Sequence, residues 1–170
     1  MIIREAIIRD SKNLNRLVNG AYRGEASKKG WTTEADLLDG VRTTEASLLK
    51  MLTDPAATIL VAEENEDISG CVYLQKDAGT LYLGMLTVKP EQQGQGLGAL
   101  LMKAAEEKAT NLGCSKIRMT VITARDTLIA YYQRKGFYDT GERQPFPDDP
   151  AFGLPRKPLE FMVMEKAIQS

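Results

Sequence analysis

The sequence predicts a mixed α/β domain, with a mostly antiparallel central sheet of about seven strands flanked by about four helices. Three observations carry that reading. Seven short β-rich stretches are interleaved with amphipathic helical stripes. Three consecutive strands are joined by turns too short for anything but antiparallel neighbours. The third of these, Leu81 to Val88, passes through a glycine-rich turn into a long helix before the next strand, and that kind of connection makes the two strands parallel. At 170 residues the chain has the length of a single domain, 1–170, large enough to bury a proper core.

Taken in order, Ile2 to Ile8 reads as the first strand. Asp10 or Ser11 then caps a helix in which Leu14, Leu17, Val18, Ala21 and Tyr22 fall on one apolar stripe. After the polar turn Arg23 to Trp31, Thr33 with Asp36 resembles a capping box. Leu37, Leu38 and Val41 form one short helical face, and Leu48, Leu49 and Leu52 form another that Asp54-Pro55 stops. This helical region is broken near Gly40. Strands follow at Thr58 to Glu63, Ile68 to Gln75 and Leu81 to Val88, separated by Asn65-Glu66-Asp67 and Asp77-Ala78-Gly79. Leu97, Leu101, Ala104, Ala105 and Leu112 mark the buried side of the long helix, closed by Gly113. Ile117 to Ile122 is the next strand, Asp126 to Lys135 a helix ending at Gly136, and strands begin at Phe137 and at Leu159.

Between the last two strands lies Gly141 to Pro158, which holds five of the seven prolines. Proline is excluded from central strands and helix interiors, so the segment reads as one long stiffened loop. Its Phe146 and Phe152 argue against disorder, which leaves a pocket wall or a loop packed over the sheet or against a second subunit.

The stretch that carries chemistry is Leu86-Thr87-Val88-Lys89-Pro90-Glu91-Gln92-Gln93-Gly94-Gln95-Gly96-Leu97-Gly98. A strand that enters a glycine turn opening a helix makes an anion site, because the glycines let backbone approach and the first helical N–H groups point outward. A dinucleotide fold would need a carboxylate about 20 positions further on, where Lys116-Ile117-Arg118 stand instead. The lysine-ending run of a P-loop does not occur. The Gln93, Gly96 and Gly98 spacing resembles the pyrophosphate signature of the GNAT N-acetyltransferase superfamily, Gln/Arg-x-x-Gly-x-Gly/Ala. A second match is Tyr132-Gln133-Arg134-Lys135-Gly136-Phe137, which resembles the end of that family's last helix. The order of strands and helices is also the one expected for the family.

The resemblance implies an enzyme that moves an acetyl group from acetyl-CoA to a primary amine of a small-molecule acceptor. Gln93, Gly94, Gln95, Gly96, Leu97 and Gly98 would hold the cofactor pyrophosphate, with Leu86, Thr87 and Val88 beside the pantetheine arm. A backbone N–H near Leu86 or Val88 would meet the oxyanion. Tyr132 stands at the position of the general acid that protonates the leaving thiolate. A phenol near pKa 10 and a thiol near 8.5 are matched for that transfer. Leu128 and Ile129 place Tyr132 on the inward side of its helix, with Tyr131 turned about 100° away. The strand before the glycine turn holds no Asp or Glu, so the base is sought in Glu25, with Glu34 and the acidic residues of the late loop as alternatives. The amine could instead arrive neutral. Tyr22, Trp31 and Phe146 are the expected acceptor walls.

Composition narrows the remaining classes. The 22 basic and 23 acidic residues nearly cancel, which argues against nucleic acid and membrane partners. No histidine is present and the two cysteines, Cys71 and Cys114, are far apart, so no metal is expected. The early charges Arg4 and Glu5 argue against a signal peptide, and a cytoplasmic location is expected. A homodimer is compatible with the sequence, which does not fix oligomeric state. Two other readings stay open at this point: a non-catalytic acyl-CoA-binding module and a nucleotide-binding oxidoreductase.

Overall fold

The computed structural model describes residues 1–22, 38–39, 43–145, 154–155 and 159–168. Strands β1 (Ile2–Glu5), β3 (Ala57–Glu64), β4 (Asp67–Asp77), β5 (Thr80–Val88), β6 (Lys116–Ile122), β7 (Tyr138–Pro145) and β9 (Glu160–Ala167) form one seven-stranded sheet. Its order is β1-β3-β4-β5-β6-β9-β7, antiparallel throughout except for the β5–β6 pair. Helices α1 (Ser11–Tyr22) and α2 (Glu45–Thr53) pack on one face. Helices α3 (Leu97–Asn111) and α4 (Asp126–Arg134) pack on the other.

Alternation along the strands divides the core into two layers, as the two-residue period of a strand requires. Leu60, Val72, Leu74, Leu81, Leu83 and Ile117 point to α3 and α4, where Leu101 and Ala105 meet them fully buried. Ile59, Val61, Cys71 and Met85 point to α1, whose stripe Leu14, Leu17, Val18 and Ala21 is buried as its spacing predicts. Truncating one of the fully buried leucines, such as Leu101→Ala, should cost about 2–5 kcal/mol.

Three expectations about elements need correction. The first strand stops at Glu5, because the Asp10 carboxylate accepts the Ile7 N–H at 2.8 Å and turns the chain into a short 3-10 helix, Ile8–Asp10. Both oxygens of Asp10 are also held by the Arg4 guanidinium, at 2.9 and 3.1 Å. Leu38 does not sit in a helix. Leu38–Asp39 is a two-residue strand, β2, paired antiparallel with β8, Leu154–Pro155. The real start signal of the helix that follows is Thr44, whose hydroxyl accepts the Ser47 N–H at 3.1 Å.

The third correction concerns 141–158, which is not one continuous loop. Strand β7 continues through Pro145, and Pro155 lies in β8. Both prolines sit on outer strands, where a missing N–H removes no interior ladder bond. Thr33, Asp36, Leu37, Val41 and Phe152 lie outside the described residues.

Candidate active site

The sheet opens at its centre. The β5–β6 ladder pairs only Thr80, Leu81 and Tyr82 with Lys116, Ile117 and Arg118. From there β6 stays paired with β9 as far as Ile122, while β5 follows β4 to Val88. A bulge sharpens this divergence: the β4–β5 register shifts between Cys71 and Tyr73, and Met85 takes φ +54°.

On the α3–α4 side of this fork lies a cavity of about 330 Å³. Leu86 and Val88 of β5 form its floor, and Leu128 and Tyr132 of α4 form the opposite wall. Gln93, Gly94, Gly96, Leu97 and Gly98 close one end. The turn holds its shape through two features. Gly94 at φ +87° and Gly96 at φ +81° occupy the left-handed region, where a side chain is strained. The Gln93 side-chain amide donates to the Val88 carbonyl at 3.1 Å and ties the turn to the strand it has just left.

The first helix-type bond of α3 runs from Leu100 N–H to Gly96 C=O at 3.1 Å. The N–H groups of Leu97, Gly98 and Ala99 therefore precede the helical ladder and emerge at the cavity, at the positive end of the helix dipole. An anion is the ligand this end can take.

Two predicted cofactor positions fall elsewhere. Thr87 is 1% exposed on the α1 side of β5, its hydroxyl donating to the Met85 carbonyl at 2.9 Å. Gln95 is exposed at the turn and does not line the cavity. Tyr22 closes α1, and its side chain lies outside the described residues, as do Glu25, Glu34, Trp31 and Phe146.

Tyr132 is buried, its ring edge-on to Tyr131 at 5.4 Å and to Phe137 at 5.9 Å. Tyr131, expected about 100° from Tyr132 around the helix, lines the same cavity. Leu128, Tyr131, Tyr132 and Lys135 recur at i, i+3, i+4 and i+7, one stripe of α4, with Tyr132 buried and Tyr131 half-buried on it. An added Cβ on Gly98 would stand 3.5 Å from the Tyr131 hydroxyl, which places that hydroxyl over the first turn of α3. Burial raises the Tyr131 phenol pKa above its ordinary value, against a smaller pull from Arg134. Lys135 also lines the cavity, with Nζ 5.5 Å from the Tyr131 ring centroid. Sequence reading missed Lys135, although its place one turn after Tyr131 was a usable signal. Among the described residues no group of acidic, cysteine or histidine side chains could hold a metal, and no helix is long and apolar enough to cross a membrane.

A forked sheet with a glycine turn and helix N-terminus at the open end defines a class of anion-binding α/β proteins. The chain belongs to the acetyltransferase (GNAT) family, whose profile matches residues 20–137. It is 25% identical over 159 residues to the IAA acetyltransferase of Azospirillum brasilense, covering 92% of this chain and 93% of that one. It is 28% identical over 152 residues to the thialysine N-epsilon-acetyltransferase of Bos taurus, covering 85% and 88%. Its fold matches that of the PaiA N-acetyltransferase of Thermoplasma acidophilum, solved in complex with coenzyme A. There the TM-score is 0.70, with 20% identity over 98% of each chain.

Proposed function

We propose that residues 1–170 act as one unit that transfers an acetyl group from acetyl-CoA to a primary amine of a small-molecule acceptor. The observation that carries this reading is the meeting of the glycine turn, the α3 N-terminus and Tyr132 on one cavity beside the fork. The relatives named for thialysine and IAA acetylation and the coenzyme A complex of the Thermoplasma acidophilum protein support it.

In this reading the N–H groups of Leu97, Gly98 and Ala99 take the pyrophosphate, and Lys135 adds the positive charge at the cavity mouth. Leu86 and Val88 line the pantetheine arm, and a backbone N–H of this stretch polarises the thioester carbonyl. The amine nitrogen attacks that carbonyl carbon, and the new C–N bond replaces the C–S bond. Tyr132 gives its hydroxyl proton to the departing sulfur. The attacking nitrogen gives up one proton, to Glu25 in this proposal, and the phenol is restored from solvent. A Glu25→Gln variant with an unchanged pH–rate profile would remove Glu25 from the role.

One observation favours a second reading. β5 carries no carboxylate, so the domain could bind acyl-CoA without turning it over. Both readings meet the same experiment. The melting temperature is measured with and without acetyl-CoA, with a nicotinamide cofactor as control, and thiol release is then followed over an amine panel that includes thialysine. At a hundredfold excess over Kd, acetyl-CoA should add about 2.7 kcal/mol of stability. A shift with acetyl-CoA and thiol release with an amine support the transferase. A shift without release on any amine favours the binding module, and no shift overturns both.

A further inference from the structure

Resting on the acetyl-transfer reading above, we infer that Thr87 is a positioning residue: its buried hydroxyl turns the Met85–Leu86 peptide across β5 and aims the Leu86 N–H at the thioester carbonyl of the donor. The β4–β5 register steps from Cys71↔Thr87 to Tyr73↔Gly84. Val72 alone therefore stands opposite two residues of β5, Met85 and Leu86, which is the geometry of a bulge. Met85 takes φ +54°, in the left-handed region that a side chain makes costly. A methionine there persists only where its surroundings hold it.

Two side chains act on one atom to hold it. The Met85 carbonyl accepts the Thr87 hydroxyl at 2.9 Å and the Cys71 thiol at 3.7 Å. Both donors are buried, so they are shut off from solvent. Met85 and Cys71 belong to the core layer under α1, while Leu86 and Val88 belong to the layer under α3 and α4. Thr87 alternates with Leu86 and Val88 and so faces α1. The Met85 carbonyl is thus turned to the α1 side, toward β4. A trans peptide sets its N–H opposite its C=O. The Leu86 N–H accordingly faces the α3–α4 side, away from β4, where the Leu86 side chain lines the cavity at the fork.

In a regular strand both groups of a peptide lie within the sheet and point at neighbouring strands. An oxyanion donor serves only if its direction is fixed before charge develops, because a hydrogen bond weakens steeply once misaligned. Thr87 supplies that direction from the opposite face of β5 and acts through the peptide alone. Without its hydroxyl, only the thiol of Cys71 is left on the Met85 carbonyl, and a thiol is a weak donor. Met85 then relaxes toward the extended form, which swings the Leu86 N–H back into the sheet. The bonds made and broken in the transfer are those given above, and Thr87 keeps its proton throughout.

The test is infrared difference spectroscopy of acetyl-CoA labelled with carbon-13 at the thioester carbonyl, bound to the wild type, Thr87→Val and Thr87→Ser with no amine present. Calorimetry gives the Kd of acetyl-CoA for each. A hydrogen bond to the carbonyl oxygen weakens the C=O bond and lowers its stretching frequency. On the wild type and on Thr87→Ser the band should fall below its free-solution position. On Thr87→Val about half of that shift or more should be lost, with Kd changed less than about twofold. The inference is overturned if Thr87→Val keeps the wild-type band, as it would if the hydroxyl only stabilised the fold. It is also overturned if Thr87→Ser loses the shift as Thr87→Val does, or if the bound wild type shows no shift. Acetyl-CoA failing to bind the wild type would instead overturn the acetyl-transfer reading. Thr87→Ala, which also lacks the donor, decides in place of Thr87→Val if that variant does not fold.

Discussion

On the α3–α4 side of β5, Leu86 and Val88 line an apolar cavity whose polar end is made of backbone amides and glycines. On the opposite side the same strand presents Tyr82 and Gly84, and polar contact there comes from side-chain hydroxyls. A strand that alternates its residues keeps the two sets of contacts apart. The cavity side depends on backbone shape, so it imposes glycine at fixed spacing. The opposite side depends on side-chain identity, which can change while the strand is kept. That contrast explains why the glycine turn is recognisable from a short motif and the side-chain contacts on the opposite face are not.

The largest expected effect is at Tyr132. Tyr132→Phe should lower kcat about 100-fold while leaving the Kd of acetyl-CoA unchanged. Steady-state kinetics beside calorimetry separates the two. Gly96→Val should act on binding instead. A β-branched residue at φ +81° will relax the turn, and restoring it on binding costs about 1–3 kcal/mol, so acetyl-CoA should bind about 30-fold more weakly.

How these positions were found differs. The turn was legible because Gln93, Gly96 and Gly98 lie within six residues of one another, and α3 because Leu97, Leu101 and Ala105 keep a helical period. Tyr132 was placed by its spacing to Gly136 and Phe137. Tyr82 and Thr120 stand 38 residues apart, and no local pattern foretells that a bulge and a ladder's end bring their hydroxyls together. Leu38 was misread for a related reason, since its extended form is set by a partner at Pro155. The side chains of Tyr22, Glu25, Trp31 and Phe146 lie outside the described residues.

A third variant sharpens the comparison by touching neither side of β5. Asp10→Ala removes the carboxylate that Arg4 and the Ile7 N–H share, and should lower stability by about 2 kcal/mol with kcat and KM intact. The Arg4 hydrogen bonds hold the Asp10 carboxyl below the usual range, against the opposing effect of burial. A lowered folded pKa means that this stabilisation is present above the unfolded titration near pH 4 and lost as pH falls through the folded value. Thermal melts of wild type and variant should therefore converge in acid. The smallest effect is at Lys135. Lys135→Gln should weaken acetyl-CoA about fivefold at low ionic strength and less at high salt, since the group is near the cavity mouth and screened.

The central claim is that the glycine turn and the first amides of α3 hold the acyl donor. Titrating acetyl-CoA into nitrogen-15-labelled protein reads it directly from the backbone amide spectrum. Saturable shifts should appear at Gly94, Gly96, Leu97, Gly98 and Ala99, with the amides of β1 unmoved. No saturable shift, or shifts confined to residues away from the turn, would contradict the claim.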